Sequence, residues 1–129
     1  MQIGCPSEVK AQEYRVGITP AAAREAIAHG HQVLVEAGAG EGSGFPDSDY
    51  AAVGAETAAT AEEVFARAEM IVKVKEPQAA ERARFRSGQV LFTYLHMAAD
   101  PEQTRDLLAS GVTAIAYVPV HSFATAEWA

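Results

Sequence analysis

Met70-Ile71-Val72-Lys73-Val74 and Gln89-Val90-Leu91-Phe92-Thr93-Tyr94-Leu95 are the two stretches on which the fold turns. Each is a short run rich in apolar and β-branched residues. Runs of this kind mark strands covered on both faces, as in a parallel sheet. The polar stretch between them is long enough for the short helix that a parallel crossover needs. Working outward, further strand-like runs fall at residues 3–5, 33–35 and 112–117. Helix starts lie between these runs. Thr19-Pro20 pairs an N-cap with proline at the first helical position, and Gly30 stops that helix. Thr60-Ala61-Glu62-Glu63 is a capping box that predicts a helix over 61–68. Asp100-Pro101-Glu102-Gln103 opens another helix that ends near Gly111, and Asp47 begins a short one running through Tyr50 to Val53. Residues 6–19 are polar without a period and read as a loop. The glycines at 38, 40, 42 and 44 read as a flexible turn. Strands alternating with helices predict an α/β fold, a parallel sheet flanked by helices of the Rossmann-like or flavodoxin-like kind.

The chain of 129 residues suits one domain, and 49% hydrophobic with 21% charged residues is an ordinary globular composition. A formal net charge of −7 argues against binding to nucleic acid or to an anionic membrane, which need a basic surface. The alternating Arg82, Arg84 and Arg86 read as a solvated face. No stretch approaches the ~20 apolar residues that span a bilayer. The N-terminus lacks the features of a secretory signal. Cys5 is the single cysteine, which excludes an internal disulfide, fits a reducing cytoplasm and reads as a buried thiol. Cytoplasmic localisation is therefore expected.

In an open parallel sheet, ligands bind beyond the carboxyl ends of the strands. Three polar residues fall there: Arg15 in the first loop, Lys75 after the run 70–74, and His96 after the run 89–95. Side-by-side pairing of the last two runs would bring their ends to roughly 5 Å. Arginine offers a planar fork to a carboxylate, lysine a compact charge for a carboxylate or carbonyl oxygen, and histidine a proton near neutral pH. Two cations and a histidine in one cleft suit a small 2-oxo or 2-amino acid. Each residue also has a structural reading. Arg15 can pair with Glu13 or Glu8, Lys75 with Glu76, and His96 can cap or fill a core. His29 and His31 flank Gly30 at a helix end and read as structural. One cysteine and scattered histidines give no zinc pattern, so no metal is expected. The glycine run lacks the Gly-x-Gly-x-x-Gly spacing, and Glu41 would repel phosphate.

The opening Ile3-Gly4-Cys5-Pro6-Ser7-Glu8-Val9-Lys10 continues into Glu13-Tyr14-Arg15-Val16-Gly17-Ile18-Thr19-Pro20. With Gly38-Ala39-Gly40, Gly44-Phe45, Asp49-Tyr50 and Gly54-Ala55, it resembles alanine dehydrogenases and the related transhydrogenase alpha subunits. Val72-Lys73-Val74-Lys75-Glu76-Pro77 and Gly111-Val112-Thr113-Ala114-Ile115-Ala116-Tyr117 extend the likeness. Leu91-Phe92-Thr93-Tyr94-Leu95-His96 resembles the alanine dehydrogenases specifically, because the transhydrogenases lack the histidine. The resemblance implies a substrate domain over 1–117 and the conversion of L-alanine, NAD and water into pyruvate, ammonium and NADH. It implies that Arg15 and Lys75 bind substrate and that His96 is the acid/base. Ser7 and Val118 depart from the family, where lysine and glutamate are usual, and 118–129 reads as a divergent tail. The NAD-binding domain is expected to be absent from this chain, together with the family's catalytic aspartate. The chain alone is accordingly expected to be inactive. The alternative expectations are a pyruvate- or alanine-binding module and an assembly unit, with a homo-oligomer as its partner state.

Overall fold

The computed structural model describes residues 1–117. The tail read from residue 118, with His121, lies outside the described residues.

The elements follow in the order β1 (Gln2–Cys5), α1 (Pro20–Ala28), β2 (Gln32–Glu36), α2 (Asp47–Ala52), β3 (Glu56–Ala58), α3 (Ala61–Arg67), β4 (Met70–Val72), α4 (Ala79–Arg82), β5 (Val90–Thr93), α5 (Pro101–Ser110) and β6 (Thr113–Ala116). The helix starts form as their residues dictate. Thr19 Oγ1 accepts from the Ala22 amide at 3.1 Å, Thr60 Oγ1 from Glu63 at 3.2 Å, and Asp100 Oδ1 from Gln103 at 3.1 Å. Gly111 ends α5 at φ 73°, a left-handed position that glycine adopts without strain.

All six strands pair in parallel, in the order β3-β2-β1-β4-β5-β6. The order reverses between β2-β1 and β4, so β1 and β4 lie side by side at the centre of the sheet. Each sheet face carries its own core. On one face Cys5, Val33, Val35 and Tyr50 gather under α1 and α2. On the other, Leu34, Ile71, Leu91, Phe65 and Leu107 gather under α3 and α5. In β2 the alternation of Val33, Leu34 and Val35 between the two clusters shows a strand buried on both sides. Burial pushes the Cys5 thiol up to about 12, so it is a neutral packing group at ordinary pH.

Three expectations change. A sixth strand, β3, forms from Glu56-Thr57-Ala58, which are too short and polar to stand out by hydrophobic pattern. It forms because the α2–α3 connection lies along the edge of β2, with Leu34, Val35 and Glu36 as register partners. The long runs also shorten, with regular pairing at 70–72, 90–93 and 113–116 only. The arginine trio departs from a solvated face at Arg82, whereas Arg84 is half-buried and Arg86 is exposed. Arg82 is 7% exposed and donates to Asp106 Oδ2 at 2.8 Å and to the Pro77 carbonyl. Arg86 donates to the Phe65 and Ala68 carbonyls at 2.6 and 2.9 Å, supplying donors to the open C-terminus of α3. Arg84 pairs with Glu62 and lies over the Phe65 ring.

Helix α3 lies so close to β1 that only glycine fits at position 4. A Cβ there would stand 2.6 Å from Ala68 Cβ and 2.8 Å from Val64 Cγ1. Gly4→Ala should therefore force α3 outward and cost about 1–3 kcal/mol. Urea unfolding should show a lower midpoint with an unchanged slope. An unaltered midpoint would mean that the sheet–helix contact relaxes freely.

Candidate active site at the carboxyl ends of β1, β4 and β5

Three loops meet where β1, β4 and β5 end. The register that pairs Val72 with Phe92 continues beyond regular sheet, with Lys73 N donating to Phe92 O at 3.0 Å and Tyr94 N to Val74 O at 3.3 Å. Followed onward, it sets residues 75 and 76 beside 95 and 96. The loop after β1 passes over the end of β4 at Gly17. A Cβ on Gly17 would come within 2.7 Å of the Val72 carbonyl, so the crossing needs glycine.

Position 96 falls opposite Glu76, and the His96 Nε2–Glu76 Oε2 distance is 3.8 Å. Glu76 turns its other oxygen to Lys10. Burial pushes the Glu76 carboxyl up, but the Lys10 hydrogen bond and the nearby His96 outweigh it and hold the group below its usual range. Lys75 is half-buried, while the His96 side chain is 57% exposed. The Arg15 side chain is 61% exposed and is forked onto Glu13, with Nε to Oε2 at 2.9 Å and Nη2 to Oε1 at 2.7 Å. That fork holds the Glu13 carboxyl down to about 2. The Lys75 charge adds a smaller lowering effect. Of the structural pairings, Arg15 with Glu13 forms. Glu8 and Glu76 turn to other partners.

Beneath these groups lies a buried cage that the sequence pattern did not reveal. Lys73 is 1% exposed. Its ammonium lies 3.1 Å from Glu8 Oε1 and 3.0 Å from Glu81 Oε2, and both carboxylate side chains are 1% exposed. Glu8 also accepts from the Val74 amide at 3.0 Å and the Lys75 amide at 3.0 Å. Thr93 Oγ1 donates to the Lys75 carbonyl at 2.9 Å. The Tyr117 hydroxyl donates to the Lys73 carbonyl, and its ring packs edge-on against Phe92 and Tyr94. One signal was available. Ile71, Lys73 and Lys75 share a strand face, and Ile71 belongs to the core.

A cavity of about 280 Å³ opens between the first loop and the glycine turn, lined by Ser7, Glu8, Glu13, Arg15, Ala39 and Gly42. That is the small end of ligand pockets. Among the described residues, no group of three His, Cys, Asp or Glu side chains is placed to hold a metal. Among them, too, no helix is long and apolar enough to cross a membrane.

Known proteins share this chain's sequence and its fold. The family model for the alanine dehydrogenase/PNT N-terminal domain matches residues 4–126, running past Tyr117 into the tail. An alanine dehydrogenase of Halomonas elongata is 54% identical over 117 residues, covering 91% of this chain and 32% of that protein. A solved structure of an L-alanine dehydrogenase superimposes with a TM-score of 0.88 at 49% identity, over 91% of this chain and 32% of the other. The transhydrogenase from Sinorhizobium meliloti superimposes with a TM-score of 0.84 at 31% identity, over 90% of this chain and 34% of the other. The chain thus spans about a third of the length of the relatives it matches. By this match over nearly all of its length, the chain belongs to the alanine dehydrogenase/PNT N-terminal domain family.

Proposed function

We propose that this chain supplies the substrate-binding side of an NAD-dependent L-alanine dehydrogenase. The supporting observation is the meeting of three loops at the switch point of the sheet. It sets residues 75 and 76 beside 95 and 96 and brings Gly17, two residues on from Arg15, against the Val72 carbonyl. Switch points of this kind are where open α/β sheets bind ligands.

On this reading, Arg15 and Lys75 take the carboxylate and oxo group of pyruvate or the equivalent groups of L-alanine. The Arg15 fork now held by Glu13 turns in whole or part to the substrate carboxylate. Lys75 stabilises negative charge as it develops on the substrate oxygen. In the alanine direction, the α-carbon of alanine gives up its hydride to NAD held by the assembled enzyme, and water adds to the carbon of the resulting imine. His96 takes the proton that water loses and returns one to the departing nitrogen, leaving pyruvate and ammonium. Exposure of His96 suits this exchange with solvent.

The described residues do not fit the NAD phosphates. After β1 the chain runs through Pro6-Ser7-Glu8, with Glu8 already accepting two backbone amides. In the glycine turn, the Gly38 amide is taken by Asp47 Oδ1 at 2.9 Å, Glu41 adds negative charge, and only a three-residue 3₁₀ turn follows. On the proposed reading, the dinucleotide is held elsewhere in the assembled enzyme, and the 129-residue chain alone turns nothing over. A second reading, as an assembly unit, has its own support. All four residues of β6 are exposed, with Ile115 at 46%, and Leu108 on α5 is 76% exposed.

Pyruvate titrated into the chain and followed by NMR should give saturable shifts at His96. Loss of one charge-assisted contact costs ~1.5–3 kcal/mol, so Arg15→Ala or Lys75→Ala should weaken binding about tenfold or more. Unchanged affinity in both variants would defeat the substrate reading. Purified chain given NAD and L-alanine should form no NADH, and robust NADH production would show that a dinucleotide site exists on it. Light scattering should show self-association through β6 if the assembly reading holds. A clean monomer at high concentration would count against it.

A further inference from the structure

Where β1 leaves the sheet, β4 still has backbone amides to satisfy. Their register partners on β1 end with Gly4 against Ile71, and Pro6 turns the chain away. The next amide donor on that side of β4 is Val74, and Lys75 follows as the strand ends. Both amides donate to one carboxylate, Glu8, whose side chain is 1% exposed. A side chain thus stands in for the strand that β1 no longer provides. Successive amides converging on one anion form a rigid concavity. Thr93 holds the Lys75 carbonyl from the β5 side, so both ends of this residue's backbone are tied.

We propose that Glu8 is a positioning residue for substrate binding, clamping the Val74–Lys75 backbone so that the Lys75 ammonium is aimed into the site. The inference rests on the reading above, in which Lys75 binds substrate. Lys73 is the counterion of the clamp and lies too deep to reach a ligand, being 1% exposed. Its charge is shared with Glu81, so the cage holds two carboxylates and one ammonium. Neutralising Glu8 leaves Lys73 and Glu81 as a matched pair. Glu8→Gln therefore strands no buried charge. What it removes is an acceptor, because the amide nitrogen of glutamine cannot accept from a backbone N–H.

The test uses the 129-residue chain with pyruvate as the probe. In Glu8→Gln, amide hydrogen exchange should accelerate at Val74 and Lys75 while the β1, β2 and β5 core amides keep their protection. Pyruvate affinity should fall ~tenfold, and the double variant with Lys75→Ala should bind no worse than Lys75→Ala alone. If Glu8→Gln does not fold, Glu8→Asp carries the same test. It keeps the charge but shortens the reach by one methylene, and the same local loss is expected in smaller measure. Unchanged exchange at Val74 and Lys75 would overturn the clamp, whatever pyruvate does. Faster exchange with wild-type affinity, or losses that add in the double variant, would overturn the positioning role. Wild-type affinity in Lys75→Ala would overturn the purpose assigned to the clamp, and no binding by the unaltered chain would bring down the substrate reading itself.

Discussion

A lysine ammonium cannot be taken out of water unless anions go with it, and Lys73 is such a lysine. Its two carboxylates come from different parts of the chain, Glu8 from the loop after β1 and Glu81 from α4. The requirement to neutralise one buried charge therefore ties together the first loop, the end of β4 and the short helix beyond it. Both carboxylates also accept backbone amides, while Glu81 Oε2 has only the Lys73 charge beside it. Glu8 takes the amides of Val74 and Lys75, and Glu81 takes the amide of Gln78 as half of a capping box. What lies above the cage, including Lys75, inherits its position from this arrangement.

Above the cage the charges are less buried and come in alternating sign. Arg15 meets Glu13, and Lys10 meets Glu76, which faces His96. Exposed pairs of this kind add little to stability. Their effect is on orientation and on the field at the mouth of the sheet. On the proposed reading, an incoming carboxylate competes with Glu13 for the arginine fork.

Much of the architecture was legible because the signals were local. Thr19, Thr60 and Asp100 cap helices through side-chain oxygens, and the apolar runs at 70–72 and 90–93 need cover on both faces, so caps and periodicity suffice to find them. β3 was not legible, because Glu56 and Thr57 take their strand geometry from pairing with β2 and not from any preference of their own. Arg82 misled for a related reason. Alternate charged residues look like a wet edge, and Arg84 and Arg86 keep part of that character, yet Arg82 is buried against Asp106, a partner distant in sequence. At the site, Arg15, Lys75 and His96 stood out through their place after strand-like runs. Glu8 did not, because a pair made across some sixty residues of chain leaves no local trace on it, and Lys73 gave only its place on the strand face of Ile71.

The central place of β1 in the sheet bears on how the chain is made. β1 and β2 pair through residues that leave the ribosome early, whereas the other edge of β1 waits for β4, with Gly4 opposite Ile71. Until β4 is made, the β4-facing edge of β1 therefore has no partner strand, and its amides and carbonyls are open to any passing strand. Because Lys73 arrives with β4, Glu8 also spends this interval without its buried partner and stays in water. That open edge of β1 is then followed by a solvated negative charge, which opposes pairing between two such edges until β4 arrives to fill the gap.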